Sequence, residues 1–389
     1  MTGFVRLGDV VNINPRGVPN LELTDDIAFV AMADVTEEGV LHTSRTRPYA
    51  EVSAGYTPFQ GGDVLLAKIT PCFENGKSCL VPGISPLYGF GSTEFHVLRA
   101  GSAIDSRFLH HLVRSPKFRS EGRRRMTGSA GQKRVPTSFI SDYRVVLPPI
   151  AEQRSIAAIL DKADDIRKKR REALKLADEF LRSVFFELFG DPVANSNVLP
   201  EKPLVELATV TTGNTPSREI ADYYGEHIEW IKSDNLNTPS HFLTKAVEGL
   251  SEAGLRVARS APAGSTLITC IAGSPSCIGN AALADRAVSF NQQINALTPK
   301  PGIEPEFIYA ATLFSKPRIQ AASTNGMKGM VSKGALEQVC FICPPPDQRE
   351  KFVGVFRKVM ALTENLENAV RESNTLHSSL AQRAFQGQL

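Results

Sequence analysis

The stretch LPPIAEQRSIAAIL (147–160) decides the fold, because one kind of sequence ends there and another begins. Its prolines close a region of short β-like runs, and a long helical pattern follows them. A similar stretch, CPPPDQREKFVGVF (343–356), occurs later in the chain. We interpret both as junctions between a globular domain and a long helix, with Glu152, Gln153 and Arg154 in the first turn of the helix. The second junction is one residue shorter, and we expect it to have the same role.

The two halves of the chain, each ending in one of these junctions and its helix, have similar sequences. GDVLLAKI (62–69) resembles GSTLITCI (264–271), FGSTEFHVL (90–98) resembles FNQQINALT (290–298), and FLHHLVRSPKFR (108–119) resembles FIYAATLFSKPR (307–318). The matches keep their order at a nearly constant offset, which indicates an internal duplication. Each half begins with short β-like runs, broken by Gly, Pro, Asn and Asp, around one helical pattern. This is typical of a compact α+β domain.

The predicted fold class is therefore α+β: two α/β domains in a pseudo-two-fold arrangement, joined by a long antiparallel coiled coil of two helices. The predicted boundaries are 1–149 and 193–345 for the domains, and 150–192 and 346–389 for the helices. Apolar residues at alternating steps of four and three predict the coiled-coil seam. They include Ile156, Leu160, Leu174, Leu181 and Leu188 in the first helix, and Phe352, Val359, Leu362, Leu366 and Leu376 in the second.

Two features of the first helix need interpretation. Arg167 and Arg170 interrupt the seam, and they either extend outward into solvent or mark where a partner docks. Gly190, Asp191 and Pro192 form a stop signal for the helix.

Composition bounds the class of protein. The chain has 389 residues, too many for one ordinary domain, and 42% are apolar, enough for a buried core. It has no apolar run of membrane-spanning length and no secretory signal at its start, and its six cysteines are too few for a disulfide framework. We expect a protein of the reducing cytoplasm. Residues 99–134 hold ten Lys and Arg against two acids, which favours either phosphate binding or simply a solvated surface.

Three short motifs resemble catalytic or metal-binding motifs, but none has the residues that such a site requires. The GKS at 76–78 lacks the earlier glycine of a phosphate-binding loop, so we interpret Asn75 and Gly76 as a hairpin turn. Cys340 and Cys343 form a CxxC in an apolar run, which favours buried structural cysteines. His110 and His111 lie on a predicted helix, one facing the core and one solvent. We predict no catalytic residue and no metal site.

A polar, glycine-containing and basic loop precedes each junction: RRRMTGSAGQKR (123–134) and STNGMKGMVSK (323–333). Arg and Lys suit phosphates or guanine edges, and Gln and Asn suit adenine. The alternative is an ordinary flexible loop, but its recurrence at the same repeat position favours DNA binding. The candidates are Lys68, Lys77, Arg123, Arg124, Arg125, Ser129, Gln132 and Lys133 in the first half, and Lys232, Asn291, Gln292, Asn325, Lys328 and Lys333 in the second.

The whole chain resembles the specificity subunit of a type I restriction-modification system. The resemblance is carried by GSAGQK (128–133), the junction at 147–160 with its helix, the echo PPPDQR (344–349) and the end AFQGQL (384–389). It implies two target recognition domains, each reading one half of a split target in double-stranded DNA, with the helices fixing the gap.

The same resemblance implies partners. Two methyltransferase subunits would dock around the helices, bind S-adenosylmethionine and methylate an adenine, and restriction subunits would add ATP- and Mg-dependent translocation and cleavage. This chain would hold no cofactor and perform no catalysis. The run KKRRE (168–172) is then either a solvated helix face or a contact to the DNA gap or to a methyltransferase subunit.

Two other functions are compatible with the residues alone. The chain could be a scaffold whose two heads bind protein or another polymer, with the coiled coil as spacer. It could also be an enzyme with an unrecognised site. A steep salt dependence of binding would separate DNA recognition from the scaffold, because phosphate binding releases counterions.

Overall fold

Two 40-residue helices and two β-rich heads make up the computed structural model, which describes residues 4–16, 21–42, 45–82, 88–129, 131–324, 329–386 and 388. The long helices are α5 (Ile150–Phe189) and α11 (Pro346–Phe385). The chain divides into two compact units, Met1–Glu172 with Leu366–Leu389, and Ala173–Asn365. Each unit therefore contains one head and a part of each long helix.

Among its described residues, the first head contains ten strands and four short α-helices. The strands are β1 (Phe4–Arg6), β2 (Val11–Ile13), β3 (Asp26–Val30), β4 (Arg45–Pro48), β5 (Thr57–Gln60), β6 (Val64–Ala67), β7 (Ser78–Leu80), β8 (Tyr88–Gly91), β9 (Phe95–Ala100) and β10 (Arg144–Val146). The helices are α1 (Tyr49–Val52), α2 (Ser106–Arg114), α3 (Pro116–Arg125) and α4 (Thr137–Asp142).

The described part of the second head contains twelve strands and five short α-helices. The strands are β11 (Glu201–Pro203), β12 (Ala208–Thr212), β13 (Tyr224–Ile231), β14 (Gly249–Leu250), β15 (Ser260–Ala261), β16 (Thr266–Thr269), β17 (Ile271–Ala272), β18 (Ala281–Leu283), β19 (Val288–Phe290), β20 (Ile294–Pro299), β21 (Gly329–Met330) and β22 (Cys340–Ile342). The helices are α6 (Leu204–Leu207), α7 (Glu252–Val257), α8 (Pro305–Phe314), α9 (Lys316–Ala321) and α10 (Lys333–Glu337).

The sheets of the two heads have the same topology, which confirms the predicted duplication. The order β2-β9-β6-β7 in the first head matches β12-β20-β16-β18 in the second. Likewise β4-β3-β8-β5 matches β14-β13-β19-β15, and the ribbon β1-β10 matches β11-β22. The parallel pair inside each second sheet, β3 with β8 and β13 with β19, is also shared.

Each head packs its central strand between two cores. On β6, Val64 and Leu66 face the core that includes α2 and α5, whereas Leu65 and Ala67 face a second core formed with Val30 and Phe59. Successive side chains of a strand point to opposite faces, so a strand with cores on both sides reads as a continuous apolar run. This explains why VLLA and its counterpart TLIT are buried throughout.

The two long helices begin in the same way. Their acid-Gln-Arg triplets, 152–154 and 347–349, are however shifted by one residue relative to the start of the helix. The amide of Gln153 donates to the carbonyl of Pro149 (3.0 Å), and the amide of Arg349 donates to that of Pro345 (3.2 Å). The helices are equally long, so Gln153 of α5 corresponds to Arg349 of α11, although the sequences align it with Gln348. The shorter second junction therefore changes which residue takes the buried position.

Within each unit the two helix segments pack side by side. In the first unit Ile156 and Leu160 share a core with Ala381 and Ala384. In the second unit the ring centroids of Phe185 and Phe352 are 5.3 Å apart.

The polar contacts of the first unit give the direction of the helices. Arg167 Nε donates to Asn374 Oδ1 (2.9 Å), and Arg170 donates to the carbonyl of Ala369. Residue numbers rise along α5 as they fall along α11, so the segments are antiparallel as predicted. Both arginines link α5 to α11, so they do not extend outward into solvent.

The predicted seam is right for α5 and partly wrong for α11. Ile156, Leu160, Leu181, Phe352 and Val359 are buried, and Leu174, Leu188 and Leu366 are half-buried. Leu362 and Leu376, however, are 52% and 58% exposed. Ser373, on the predicted seam, is buried, but Phe356 and Met360 are buried and His377 is half-buried, so next to Leu362 and Leu376 the seam of α11 follows the other flank of its apolar stripe.

The first long helix ends at the predicted stop signal. Gly190 follows Phe189 with φ at +72°, which glycine adopts without a steric penalty. A Cβ at this position would lie 2.4 Å from Ser196 Oγ. Among the described residues, no helix combines the length and the apolarity that a membrane crossing requires.

Candidate nucleic-acid interface

A hairpin-like loop in the first head carries three of the predicted DNA-binding residues, Ser129, Gln132 and Lys133. Thr127 and Arg134 close its base, because the amide of each donates to the carbonyl of the other (3.0 and 2.8 Å). The amide of Thr70 donates to the carbonyl of Lys133 (2.9 Å), which fixes the base against the chain that follows β6. We call residues 128–133 the first reading loop.

The tip of the first reading loop is exposed. Gly128 and Gly131 have φ of +125° and +84°, and a Cβ at Gly128 would lie 2.9 Å from the carbonyl oxygen of Gln132. These glycines let the chain turn sharply. As a result Ser129, Gln132 and Lys133 present their side chains to solvent.

The last turn of α3 places three arginines beside this loop. Arg123, Arg124 and Arg125 are exposed, and Arg123 Nε lies 3.7 Å from Glu74 Oε1. Arg124 and Arg125 line a surface cleft of about 1100 Å³ that also includes Thr127 at the base of the loop. Arg124, Arg125 and the base of the loop thus lie on one surface, which also includes the acids Glu121 and Asp142.

Lys68 and Lys77 have different surroundings. Lys68 is half-buried directly after β6, where its carbonyl accepts a hydrogen bond from the amide of Val135 (2.9 Å). Lys77 Nζ donates to the carbonyl of Met32 (3.1 Å), so it stabilises the head from within. The turn before Lys77 has Gly76 at φ of +82°, and Gly279 is its counterpart at +84°, in line with the predicted structural turn.

The second head repeats the backbone pairing at the base of the loop. The amide of Thr324 donates to the carbonyl of Met330 (2.9 Å), and that of Val331 donates to the carbonyl of Cys270 (2.9 Å), as Val135 does to Lys68. We call residues 325–329 the second reading loop. The predicted sites Asn325 and Lys328 lie outside the described residues.

The other candidates of the second head are dispersed. Lys232 Nζ donates to Glu248 Oε1 (2.6 Å) and lies 5.1 Å from the Trp230 ring centroid. Asn291 is buried, and its side-chain oxygen accepts from the amide of Gln293 (3.1 Å). Gln292 is exposed and accepts a hydrogen bond from the Thr215 hydroxyl. Lys333, also exposed, begins α10. Gln292 and Lys333 are therefore the accessible candidates among these four.

Sequence reasoning missed the ion pair that supports the first reading loop. Arg134 donates to both carboxylate oxygens of Glu94 (2.8 to 3.1 Å) and to the carbonyl of Gln132 (3.2 Å). The hydrogen bonds from Arg134 hold the pKa of the Glu94 carboxyl below its usual value. The opposite charges were visible in the sequence, but forty residues separate them and no local pattern joins them.

A histidine cluster lies where α2 meets the long helices of the first unit. His111, Asp164 and His377 have ligand atoms within 4.8 Å of one another, which is compatible with a metal ion. Two guanidinium groups already contact Asp164, however, since Arg114 and Arg167 both donate to it at 2.8 Å. Two cations on the same carboxylate disfavour a third, so we interpret the cluster as a structural network.

Two expectations about side-chain burial were wrong. His110 and His111 are both buried, because α2 packs one face on the sheet and another on α5, where His111 Nε2 lies 2.7 Å from Asp161 Oδ1. Burial lowers the pKa of His110 to about 3. Cys340 is exposed and Cys343 half-buried, because β22 is half of a two-stranded ribbon.

Comparison with known families gives one match, which covers most of the chain. The family model described as "Type I restriction modification DNA specificity domain" matches residues 2–176 and, a second time, 200–372. The two matched segments correspond to the two halves of the duplication.

Relatives match part of the chain at higher identity. The EcoEI specificity subunit of a type I restriction enzyme from Escherichia coli is 40% identical over 164 residues, and the EcoAI specificity subunit of the same organism is 40% identical over 158. These segments span 41% and 39% of this chain and only 27% and 26% of the relatives.

Solved structures share the fold over nearly the whole chain. A chain from a structure of the assembly and conformational transition of the type I R-M system has a TM-score of 0.57 at 19% identity and covers 100% of this chain and 98% of its own. The type I restriction-modification S subunit of M. genitalium has a TM-score of 0.58 at 12% identity, covering 98% and 96%. At these identities the likeness concerns the fold alone.

Proposed function

Because this chain belongs to the type I restriction modification DNA specificity family, we propose that it is the non-catalytic DNA-recognition subunit of a type I restriction-modification complex. Each head would read one half of a split DNA target through its reading loop and the surface around it. The observation that carries the proposal is the pair of heads with one topology and different loops. Two scaffolds of the same fold with different surfaces suit two different half-site sequences.

The first head would bind through its basic surface. Arg123, Arg124, Arg125 and Lys133 would neutralise phosphates or contact guanine edges, and Gln132 and Ser129 would contact bases or the backbone. Lys68 stands next to the base of the loop and would approach a phosphate. Lys77 would support this surface from inside the head, since its ammonium group already binds the carbonyl of Met32.

The second head would use fewer charges. Gln292 and Lys333 are exposed, and Lys232 is positioned by Glu248 and Trp230. Asn325 and Lys328 belong to the second reading loop and would contact DNA as well. Asn291 is buried beside Gln292 and would orient this neighbour. Readout in this head would depend more on hydrogen bonds than on charge.

The long helices would bind two methyltransferase subunits. The seam residues pack against the other long helix or the head of the same unit. The partner subunits would therefore contact the apolar residues of the helices that remain exposed. In the first unit these are Ile159, Ile166 and Leu376, which are 44%, 41% and 58% exposed, and in the second unit Leu176, Phe180 and Leu362, which are 53%, 54% and 52% exposed. Apolar side chains repeated along a helix and left exposed are typical of a surface that a partner covers.

The partners would supply the chemistry. The methyltransferase subunits would bind S-adenosylmethionine, flip out an adenine and methylate its exocyclic nitrogen. Restriction subunits would join through them and use ATP and Mg. The complex would act in the cytoplasm, where its DNA target lies.

Reconstitution tests this proposal. The purified chain is mixed with the modification subunit of its own host, S-adenosylmethionine and genomic DNA that lacks the modification, and the methylated positions are mapped by sequencing. We expect methylation at one split motif only when both proteins are present. Methylation by this chain alone would contradict the non-catalytic role.

A salt series tests DNA recognition separately. Binding of the assembled complex to a duplex with the mapped motif should weaken steeply with salt, since phosphate contacts release counterions. A flat dependence, or equal affinity for the motif and a scrambled duplex, would favour the scaffold with heads for protein or another polymer.

A further inference from the structure

The ion pair between Glu94 and Arg134 lies at the base of the first reading loop, which Arg134 closes together with Thr127. The guanidinium binds both carboxylate oxygens, with contacts of 2.8 to 3.1 Å, and the two side chains are 26% and 41% exposed. A planar guanidinium that binds a carboxylate through two donors is fixed in direction as well as in distance. Arg134 therefore has its charge engaged by a carboxylate of the same head.

The same positions of the second head have no charges. The amide of Lys68 donates to the carbonyl of Glu94 (2.9 Å), and the amide of Cys270 donates to that of Gln293 (2.8 Å), so Gln293 is the counterpart of Glu94. Met330 is the counterpart of Arg134, because it accepts from Thr324 as Arg134 does from Thr127. The fold of the loop base therefore forms without the ion pair, which must serve something particular to the first head.

The feature particular to the first head is the loop itself. Arg134 Nη1 donates to the carbonyl of Gln132 (3.2 Å), so the guanidinium links the loop to Glu94 at the start of β9. This contact restricts the carbonyl between the exposed side chains of Gln132 and Lys133. Without it, two glycines would leave the loop many conformations, and binding would cost the entropy of ordering them.

We propose that Glu94 and Arg134 are positioning residues that hold the first reading loop in the conformation that binds DNA. Arg134 itself contacts neither phosphate nor base. The inference rests on the proposed function and adds residues that act through their neighbours Gln132 and Lys133. It separates two adjacent cations: Lys133 binds DNA, and Arg134 orders the loop that presents it.

The test uses the full chain assembled with its modification subunits. The DNA is a duplex that carries the split motif mapped in the methylation assay. Affinity is measured over a salt series for wild type, Glu94→Gln, Arg134→Met and the double variant Glu94→Gln/Arg134→Met, which carries the residues of the second head. We expect each single variant to bind about tenfold more weakly, because the bound loop must now be ordered on binding. The slope of log affinity against log salt should stay that of wild type.

Two controls sharpen the result. Lys133→Ala should lower the salt slope by about one, as expected when one phosphate contact is lost. The double variant should bind about as weakly as Arg134→Met alone, because Glu94 acts only through Arg134 and both variants lose the hydrogen bond to the carbonyl of Gln132. Scrambling one half of the motif should abolish the penalty of Arg134→Met, and scrambling the other half should leave it, because only one head is affected.

Other outcomes would overturn the inference. If Arg134→Met lowers the salt slope by about one while Glu94→Gln binds like wild type, Arg134 contacts phosphate directly. If the penalty is the same for both scrambled duplexes, the pair acts on the whole protein and not on one reading loop. A wild-type complex that does not prefer its motif would instead refute the proposed function and the inference with it. Equal thermal unfolding midpoints ensure that the compared variants are folded.

Discussion

Gln153 and Asp105 are joined by a hydrogen bond of 2.9 Å, from the backbone amide of Asp105 to the side-chain oxygen of Gln153. The side-chain amide of Gln153 also donates to the carbonyls of Ala103 (2.9 Å) and Pro148 (2.8 Å), and the residue is fully buried. One side chain thus ties the first turn of α5 to the segment that leads into α2. This is the structural reason for a glutamine in the junction.

Replacement of Gln153 by Leu should destabilise the first unit. The substitution keeps the side-chain volume but leaves the Asp105 amide and two carbonyls without their partner, which should cost about 2–4 kcal/mol in the free energy of unfolding. Urea unfolding followed by circular dichroism measures this. Gln348→Leu is the matched control, because the sequences align Gln348 with Gln153 but the helix register does not, and it should cost less than about 0.5 kcal/mol. Equal losses would contradict the register.

An ion pair joins the head to the long helix in each unit, but the positive and negative partners are exchanged between the two units. In the first unit Arg107 of α2 contacts Asp161 of α5 (3.3 Å), and in the second Glu306 of α8 contacts Arg357 of α11 (2.7 Å). Arg107 and Glu306 hold the same position, one residue before Phe108 and Phe307 of the matching helices. Asp161 and Arg357 likewise hold the same position, each the twelfth residue of its long helix. Each head helix therefore carries the charge that suits its own long helix and would repel the other.

Reversal of one member should reveal this complementarity. Arg357→Glu would place two carboxylates together and should destabilise the second unit by about 1 kcal/mol, a small value because Arg357 is 67% exposed and screened by solvent. Glu306→Arg/Arg357→Glu should restore most of the loss. A double-mutant cycle on urea unfolding gives the coupling. If the double variant is as unstable as the sum of its single variants, the pair contributes nothing.

The first unit should lose stability in mild acid. Burial is the main cause that lowers the pKa of His377 to about 4 and the pKa of His111 as well. His377 faces Asp164, Arg114, Arg167 and His111, so protonating it would add a cation among two guanidinium groups. Because its folded pKa lies below the unfolded value of 6.5, the unfolded chain binds more protons between these values. The contribution of neutral His377 to the free energy of unfolding is therefore fully present above pH 6.5 and is lost as the pH falls towards 4. This loss is on the order of 2–3 kcal/mol.

His377→Leu isolates this contribution. Leu181 occupies the corresponding position of α5, so a leucine fits the helix register, and Asp164 keeps its hydrogen bonds from Arg114 and Arg167. We expect the unfolding free energy of the variant to depend less on pH between 6.5 and 4 than that of wild type. An unchanged dependence, measured by urea titrations at several pH values, would mean that His377 does not titrate in this range.

Local patterns carried the sequence predictions, and long-range contacts account for the errors. The duplication, the α+β heads and the stop at Gly190 follow from periodicity and from proline and glycine, which act on their own neighbours. The seam of α11 does not, because Leu362 and Leu376 are as apolar as the residues that are buried, and only packing against α5 selects one flank. Similarly, Lys133 and Arg134 are alike in sequence. A carboxylate forty residues away makes their roles different.

The proposed gap between the two half-sites should follow the length of the long helices. Seven residues, one heptad, preserve the spacing of the seam, so a heptad inserted after Glu172 and another after Asn365 should lengthen both helices without disturbing the packing in either unit. Each insertion adds about 10 Å of helix, equal to about three base pairs of B-DNA. In the reconstituted methylation assay we expect the mapped motif to keep both half-site sequences and to gain about three base pairs between them. A heptad in α5 alone is the control, and it should reduce methylation because the two helices no longer match in length. Methylation of the original motif by the doubly extended protein would show that the helices do not measure the gap.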